Sequence, residues 1–357
     1  MYNNQFHKSF QLQGKSFKNS QEIINFSKEI SVEVFTLLEQ WFSDNSFVEV
    51  KTSGSTGIPK IIQLEKEFMV NSAKATGEYF SLFENTSALL CMSPNYIAGK
   101  MMLVRALTLG WSLDIVEPTS NPLKNCEKQY DFSAMVPIQL SNSINEIHQI
   151  KKLIVGGGVV SKELLSLIQN IETEVFATFG MTETITHIAV KKLNNMSHAK
   201  LVSASHYYIL PNISISTDNR GCLVINAPKI AKEQIVTNDL VDIISEKEFK
   251  WLGRFDTIIN SGGIKLIPEQ IEEKLEKIID TRFFVAGLPD AILGEKLILV
   301  IENVQNSISK EAIFTRICNL QTLSKFEIPK EIYLVNEFIE TATGKINRKE
   351  IINILDK

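Results

Sequence analysis

The segment that organises this chain lies between two apolar runs and reads Lys51-Thr52-Ser53-Gly54-Ser55-Thr56-Gly57-Ile58-Pro59-Lys60. Its glycines allow backbone dihedrals and close approaches that a side chain would forbid. Its hydroxyl groups supply hydrogen-bond donors and Lys60 supplies a point charge, a combination that suits an anion such as a polyphosphate. Serine, threonine and glycine are also common in ordinary hairpin turns. The segment alone therefore leaves an anion-binding loop and a polar turn equally open.

The composition is that of an ordinary globular protein. The chain has 357 residues, of which 44% are apolar and 22% charged, and this length predicts two domains with a large first one. The formal net charge of −4 argues against nucleic acid as a partner, because a nucleic-acid surface is normally basic. Neither a signal peptide nor a membrane-spanning apolar run is visible. We therefore expect a cytoplasmic protein without integral membrane contact.

The cysteines point to the same compartment. They lie far apart, without a CxxC pair or a neighbouring histidine at ligand spacing: Cys91, Cys126, Cys222 and Cys318. This distribution argues against a zinc site and against a disulfide framework, and it fits a reducing environment.

Short buried strands alternate with helical segments along the first half of the chain. Helices are predicted over about Ser20 to Ser43, Glu67 to Phe83, Lys100 to Leu109 and Lys162 to Ile171. Strands are predicted at Ala88 to Met92, Ser112 to Val116, Ala134 to Val136, Lys152 to Val155 and Glu174 to Thr178. This alternation predicts an α/β fold, with a large amino-terminal α/β domain built on mostly parallel sheet and sites at the carboxyl ends of strands.

Two strand-to-loop junctions carry candidate site residues. One strand runs into Gly156-Gly157-Gly158, where the missing side chains leave room for a flat ring or a phosphate. Another runs into Phe179-Gly180-Met181-Thr182-Glu183, which offers an aromatic ring to stack on a base and a carboxylate to hold a divalent cation. A tight turn before a helix and a capped helix start remain the alternatives at these two places.

From Gly221 onward the chain becomes rich in predicted strands. These cover Cys222 to Ile225, Ile235 to Thr237, Leu240 to Ile244 and Phe249 to Leu252, with a turn at Asn238-Asp239. The stretch from Gly253 to Glu269 then predicts a strand, a glycine turn, a second strand and a helix that begins near Pro268. We place a domain boundary here, so that residues 1–254 form the first domain, with a β-rich subdomain, and residues 255–357 form a smaller α+β domain.

Five motifs in this order resemble those of the adenylate-forming superfamily, which contains acyl-CoA synthetases, peptide-synthetase adenylation domains and luciferases. They are the opening segment ending in Pro59-Lys60, Phe179 to Glu183, Thr237-Asn238-Asp239, Gly253 to Asp256 with Ser261-Gly262-Gly263, and Gly344-Lys345-Ile346-Asn347-Arg348. Each motif alone is of modest specificity, but their common order from residue 51 to residue 348 makes a chance match very improbable.

The resemblance implies ATP and Mg²⁺ as cofactors, and coenzyme A as co-substrate. It assigns the β- and γ-phosphates of ATP to a loop composed of Thr52, Ser53, Gly54, Ser55, Thr56, Gly57 and Lys60. It places Gly156, Gly157 and Gly158 along the adenine and acyl pocket, with Phe179 and Gly180 beside the adenine.

The same resemblance supplies the catalytic and hinge residues. Thr182 would contact the α-phosphate, and Glu183 would bind the metal ion. Asp239 and Arg254 would hold the ribose hydroxyls, and Asp256 would be the hinge about which a mobile carboxyl-terminal lid rotates. Lys345 on that lid would reach both the reacting carboxylate and the α-phosphate. Gly262 and Gly263 would move to the pantetheine channel after rotation.

Two local stretches narrow the substrate class. Residues 93–107 and 180–189 resemble the o-succinylbenzoate–CoA ligases of menaquinone biosynthesis, and the phosphate loop begins so early that the chain resembles a short form of the family. This substrate is a dicarboxylate, so its second carboxylate needs a counter-charge or donors. The candidates are Lys100, Arg105, Thr186 and His187, with Tyr96 near the acyl pocket. Arg105 as a surface helix charge and His187 as a plain polar contact are the alternatives.

Three other functions stay open at this point. One is a different aryl- or acyl-CoA ligase, and another is an adenylation enzyme that loads a carrier protein. The third is a non-catalytic nucleotide-binding module, although such a module would be expected to have lost Lys345. A P-loop NTPase is disfavoured because Ser9 stands where the motif ending in Gly14-Lys15-Ser16 requires a glycine. A homodimer would cover apolar surface that the short form leaves exposed.

Overall fold

The computed structural model describes residues 6–51, 61–195, 206–304, 309–340 and 346–355. The chain divides into two compact units. The first contains residues 1–215, 224–235 and 244–249, and the second contains residues 216–223, 236–243 and 250–357. The boundary near residue 255 stays a prediction.

The first unit contains six helices among its described residues. They are α1 (Ser20–Ser27), α2 (Val32–Phe42), α3 (Lys66–Phe80), α4 (Ile97–Leu109), α5 (Pro137–Asn142) and α6 (Lys162–Leu167). The single helix predicted from Ser20 to Ser43 is therefore divided into the two helices α1 and α2. The physical reason is Ser31, whose extended backbone and side-chain oxygen, which accepts from the amide of Val34, start a new helix.

A large sheet forms the centre of the first unit. Its strands are β1 (Gln11–Leu12), β2 (Lys15–Ser16), β5 (Ser87–Leu90), β6 (Ser112–Ile115), β7 (Tyr130–Met135), β8 (Ile150–Val155), β9 (Glu174–Gly180), β10 (His187–Lys192) and β11 (His206–Ile209); β3 and β4 form a separate hairpin. Their order is β11-β10-β9-β8-β7-β5-β6-β1-β2. The neighbours from β9 to β1 are parallel, whereas β10, β11 and β2 join antiparallel. The predicted α/β class with a mostly parallel sheet is confirmed.

The buried residues of the parallel strands are mostly apolar because both faces of the sheet are covered, which is typical of such sheets. Leu153 and Val155 of β8 pack in one buried cluster with Leu164 of α6 and Val175 of β9. The predicted strand positions are therefore correct, with ends that shift by a few residues.

The opening segment connects two paired strands. β3 (Phe47–Lys51) and β4 (Ile61–Glu65) run antiparallel, and their last register pair is Lys51 with Ile61. Residues 52–60 lie outside the described residues.

Four strands follow β11 and are divided between the two units: β12 (Ser214–Thr217), β13 (Cys222–Asn226), β14 (Ile235–Ser245) and β15 (Glu248–Arg254). The prediction that the chain is rich in β-strands from Gly221 onward is confirmed. The predicted turn at Asn238-Asp239 is wrong, since both residues lie inside the continuous strand β14. The hydroxyl of Thr237 accepts from the amide of Asp239 at 3.0 Å, and this hydrogen bond lies within the strand.

The second unit has a smaller sheet with helices packed against it. Its strands β16 (Ile259–Ser261), β17 (Ile264–Leu266), β18 (Phe283–Asp290), β19 (Gly294–Glu302) and β20 (Glu331–Val335) are in the order β17-β16-β19-β18, with β20 parallel to β19. Alternate residues of β18 and β19 enter two different clusters, one with α7 (Pro268–Leu275) and α8 (Lys310–Cys318) and one with α9 (Arg348–Leu355). The predicted smaller α+β domain is confirmed as a fold class.

Two further findings bear on the expectations from composition. All four cysteines are free, and Cys91 and Cys222 are buried. Among the described residues, no helix combines the length and the apolar character that crossing a membrane requires.

Candidate active site

Most of the predicted site residues that the structure describes in the first unit lie at one edge of the sheet. β5, β7, β8 and β9 are parallel, so their carboxyl ends share that edge. The loop after β5 carries Tyr96, the loop after β8 begins with Gly156, and β9 ends at Gly180. The fold therefore brings together the two glycine-bearing junctions and the start of α4, as the sequence predicts.

The turn after β9 is tight. A Cβ atom on Gly180 would lie 2.2 Å from the carbonyl oxygen of Thr186, so only glycine fits there. Ile185 has φ +65° and ψ −60°, and the amide of Thr186 donates to the carbonyl of Thr184 at 2.7 Å. This is a γ-turn of the rare, strained kind. It directs the chain back into β10, where His187 pairs with Gly180.

Thr182 and Glu183 belong to a single turn of 3₁₀ helix, Thr182–Thr184. Thr184 closes the turn, because its hydroxyl accepts from the amide of Met181 at 3.0 Å. Glu183 is exposed and Thr182 is half-buried. The two candidate catalytic side chains therefore stand where β9 ends, in a capped helix start that is a single 3₁₀ turn.

Phe179 belongs to a cluster of three aromatic rings. Its centroid lies 5.6 Å from that of Tyr207 and 5.2 Å from that of Phe249, and the latter two rings stack on one another. Burial raises the pKa of Tyr207 to about 12, which keeps this ring neutral. Tyr207 and Phe249 therefore hold the half-buried Phe179 ring in place, which a ring that stacks on a base requires.

Arg105 is the most unusual side chain of the unit. It projects from α4 and is only 1% exposed, so its interpretation as a surface helix charge is wrong. Its Nε donates to Oγ1 of Thr76 at 3.3 Å, and its Nη2 lies 3.5 Å from both Thr186 Oγ1 and His187 Nδ1. Burial lowers the pKa of Arg105 to about 9, so it stays cationic at neutral pH.

The other substrate candidates lie on the same helix. Tyr96, which precedes α4, is 56% exposed. Lys100 is buried, and this burial lowers its pKa. Among the described residues, neither Lys100 nor Arg105 forms an ion pair with a carboxylate. Two buried cations therefore lie on α4 without a described counter-charge.

A pocket of about 210 Å³ borders one member of this cluster, His187. His187 lines it together with residues of α3, including Lys74 and Glu78, and with residues 210–213, Lys229 and Ile230. Open space therefore reaches the His187 ring, whose Nδ1 lies 3.5 Å from the Arg105 guanidinium.

The second unit brings together three further candidates. Arg254 donates to both carboxylate oxygens of Asp256, at 2.9 and 2.7 Å, and its Nη1 lies 3.8 Å from Asp239 Oδ2. These hydrogen bonds from Arg254 lower the pKa of Asp256. The buried Asp239 also accepts from Trp251 Nε1 at 2.9 Å. The result is a fixed carboxylate beside a cation, which is able to bind a diol.

Gly262 and Gly263 form the two-residue turn between β16 and β17, and both have positive φ. The remaining predicted residues lie outside the described residues. They are Thr52, Ser53, Gly54, Ser55, Thr56, Gly57, Lys60 and Lys345.

Sequence reasoning missed Thr76 and Trp251. Thr76 lies in the middle of α3, where a lone threonine gives no local signal, and it meets Arg105 only because α3 and α4 pack together. Trp251 lies on β15, and its ring nitrogen finds Asp239 on β14. Both contacts join residues on different elements, so no local pattern could have indicated them.

Comparison with known proteins identifies the family. The profile described as "AMP-binding enzyme" matches residues 44–228, more than half of the chain. A solved structure of an acyl-CoA synthetase (AMP-forming)/AMP-acid ligase II-like protein from Dyadobacter fermentans is 36% identical. The match covers 90% of this chain and 93% of that one, with a TM-score of 0.60.

Two further matches carry a more specific name. A 2-succinylbenzoate--CoA ligase from Listeria monocytogenes is 25% identical over 347 residues, covering 90% of this chain and 73% of that protein. The Bacillus subtilis o-succinylbenzoate CoA synthetase (MenE), solved with the acyl-adenylate OSB-AMP, is 20% identical with a TM-score of 0.71; the match covers 85% of this chain and 68% of that one. At this identity the structural likeness shows the fold alone. The family match and the named relatives show that the chain belongs to the AMP-binding enzyme family and is an AMP-forming acyl-CoA ligase.

Proposed function

We propose that this enzyme adenylates o-succinylbenzoate with ATP and transfers the acyl group to coenzyme A, a step of menaquinone (vitamin K2) biosynthesis. Relatives at 22–26% identity bear the name 2-succinylbenzoate--CoA ligase. Because ATP and coenzyme A would be consumed, we place the reaction in the cytoplasm. A homodimer stays a prediction.

The observation that carries the substrate class is the buried Arg105. Burying a charge costs several kcal/mol unless an opposite charge or strong hydrogen bonds compensate it. Two hydroxyls and one imidazole ring, at 3.3 to 3.5 Å, offer only weak compensation. A carboxylate from a ligand would supply the missing counter-charge. A substrate with one carboxylate consumes it in the reaction, so the cation favours a dicarboxylic acid.

The chemistry explains the remaining assignments. The reacting carboxylate attacks the α-phosphorus, pyrophosphate leaves, and a mixed anhydride of acid and AMP forms. Negative charge accumulates at the phosphorus, so a cation at Lys345 and a hydrogen bond from Thr182 would stabilise the transition state. The thiol of coenzyme A then attacks the acyl carbon, and AMP leaves with the bonding electrons.

The residues at the sheet edge fit the proposed cofactors. Mg²⁺ is normally held by one or two carboxylates together with substrate phosphates, and the exposed Glu183 offers one such carboxylate. Within the described ranges, no group of three or more potential ligands competes for a metal ion. When bound, Mg²⁺ would neutralise phosphate charge. Phe179 would stack on the adenine, and residues 156–158 and Gly180 would line its pocket.

The two half-reactions require different surroundings. We propose that residues 255–357 rotate about Asp256 between them, withdrawing Lys345 and bringing Gly262 and Gly263 to the pantetheine channel. Asp239 and Arg254 would hold the ribose hydroxyls. Residues 52–57 and Lys60 would hold the β- and γ-phosphates.

A pyrophosphate-release screen tests the substrate. Purified enzyme with ATP, Mg²⁺ and coenzyme A should consume o-succinylbenzoate far faster than benzoate, coumarate or short fatty acids. The decisive comparison is the monoester in which the non-reacting carboxylate is methylated, because it removes only the proposed partner of Arg105. Equal rates for diacid and monoester would overturn the assignment. A phosphopantetheinylated carrier protein in place of coenzyme A separates the carrier-loading alternative.

A further inference from the structure

The buried hydroxyl of Thr76 allows only one assignment of hydrogen-bond donors and acceptors. Its side chain is fully buried on α3, and its hydroxyl donates to the carbonyl of Ser72 at 3.0 Å. A hydroxyl has only one hydrogen to donate. The oxygen must therefore accept from its other two neighbours, Arg105 Nε at 3.3 Å and His187 Nε2 at 3.5 Å.

This arrangement fixes the tautomer of His187. If Thr76 only accepts, then Nε2 of His187 carries the hydrogen, and Nδ1 of the neutral ring is left with its lone pair. That lone pair faces Arg105 Nη2 at 3.5 Å and Thr186 Oγ1 at 3.3 Å, both of which can donate to it. Every polar atom of the cluster then has one consistent role.

The guanidinium is held at three of its atoms by this arrangement. Nε is bound by Thr76, Nη2 faces Thr186 and His187, and Nη1 lies 3.7 Å from the sulfur of Met102. These weak contacts engage four of the five N–H donors of the rigid fork, so one N–H of Nη1 remains for a ligand, and a carboxylate would be a stronger partner than those the other four have.

A protonated His187 would not fit here. It would set a second N–H against the donors of Arg105 and bury a second positive charge beside the first. Burial and the neighbouring Arg105 accordingly lower the pKa of His187 well below its usual range. The cluster therefore holds one positive charge, which matches one carboxylate.

We infer that Thr76 and the neutral His187 are positioning residues, which orient the Arg105 guanidinium toward the non-reacting carboxylate of a dicarboxylic acid. The inference rests on the proposed function. It gives His187, which lines the pocket, a positioning role in place of the direct carboxylate contact that the sequence suggests, and it adds Thr76 as a second positioning residue.

The test measures a discrimination ratio, which is kcat/KM for o-succinylbenzoate divided by kcat/KM for its methyl monoester. Thr76→Val removes the hydroxyl at nearly constant shape, and Thr76→Ser retains it. We expect the valine variant to lower the ratio roughly tenfold through KM for the diacid, which corresponds to about 1.4 kcal/mol. The serine variant should restore most of the ratio, because it keeps the hydroxyl.

A second pair of variants keeps the test independent of Thr76. His187→Asn retains an acceptor near the position of Nδ1, whereas His187→Leu retains none. The asparagine variant should keep a higher ratio than the leucine variant. Thermal unfolding midpoints of all variants identify losses of folding, which would lower activity toward diacid and monoester alike.

The outcomes separate the two proposals. If the Arg105→Gln variant has the same discrimination ratio as the wild-type enzyme, the proposed function of Arg105 is wrong. If Arg105→Gln collapses the ratio while Thr76→Val and His187→Leu do not, the positioning role alone is overturned. In the Arg105→Gln background, Thr76→Val should have no further effect on the ratio, and an additional loss there would also contradict the positioning role.

Discussion

The Nε atom of Arg105 lies 3.3 Å from the hydroxyl oxygen of Thr76, and both side chains are almost completely buried. The two residues are on different helices, α4 and α3, which pack against each other. A buried cation thus borders hydroxyls and a neutral imidazole, which is an environment that an incoming carboxylate would complete.

Lys345→Ala should abolish adenylate formation and spare the second half-reaction. The lysine is proposed to stabilise charge at the α-phosphorus, which matters only while pyrophosphate leaves. We expect pyrophosphate release to fall by about 10²–10³-fold or more, with thioester formation from supplied acyl-adenylate largely preserved. Lys349→Ala, an exposed lysine on α9, is the matched control. Unchanged pyrophosphate release in the Lys345 variant would show that the assigned role is wrong.

Glu183→Gln should weaken the use of Mg²⁺. The amide keeps the shape of the side chain but loses the charge that a hard divalent cation requires. We expect the Mg²⁺ concentration for half-maximal pyrophosphate release to rise roughly tenfold. Glu172→Gln serves as the control, because this exposed carboxylate precedes β9 at the opposite end of the strand. An identical Mg²⁺ dependence in wild type and Glu183→Gln would remove Glu183 from the metal site.

His187 should make the protein sensitive to mild acid. Its pKa is lowered in the folded state by burial and by Arg105, so the unfolded chain takes up the proton first. Its contribution to stability is complete above the ordinary value of 6.5 and is lost as the pH falls below it, by at most about 1.4 kcal/mol per pH unit. The other charged groups around the same pocket are Lys74, Glu78 and Lys229.

Urea unfolding at pH 7.5 and pH 5.5 measures this effect. His187→Asn should lose less stability than the wild type between the two pH values. The exposed His148 provides the control, and His148→Asn should behave like the wild type. If His187→Asn and the wild type lose the same amount, His187 does not remain neutral in the folded state.

Arg348 and Glu272 should stabilise the second unit as a pair. The guanidinium donates to both carboxylate oxygens, at 2.8 and 3.0 Å, and lies 5.4 Å from the centre of the Phe284 ring. Glu272 also accepts from the amide of Val285 at 2.9 Å. Arg348→Met should lower the free energy of unfolding by about 2 kcal/mol, because it leaves a mostly buried carboxylate unpaired.

A double-mutant cycle checks this pair. Adding Glu272→Gln to Arg348→Met should cost less than the sum of the two single changes, since they share one interaction. Arg316→Met removes an exposed arginine from α8 and should change stability by less than about 0.5 kcal/mol. Strict additivity would show that the two side chains do not interact in solution.

The local patterns of the sequence determined the α/β class and most strand positions. Parallel strands that are covered on both faces are apolar where they are buried, and the run from Leu153 to Val155 therefore indicates a strand from its residue types alone. The motifs also indicated the family. Gly180 belongs to one of them, and a Cβ atom there would lie 2.2 Å from the carbonyl oxygen of Thr186. The polar residues Asn238 and Asp239 led to the wrong prediction of a turn. The strand continues through them because it pairs with neighbouring strands.

What the tertiary structure alone decided is the environment of the charges. The apolar residues on both sides of Arg105 indicate a buried helix, but they do not show which groups the guanidinium meets. The packing of α3 against α4 places Thr76 beside the buried guanidinium, and His187 of β10 meets it from another segment. The cost of burying a charge depends on all groups that surround it in space, and those groups come from segments up to 82 residues away in the sequence.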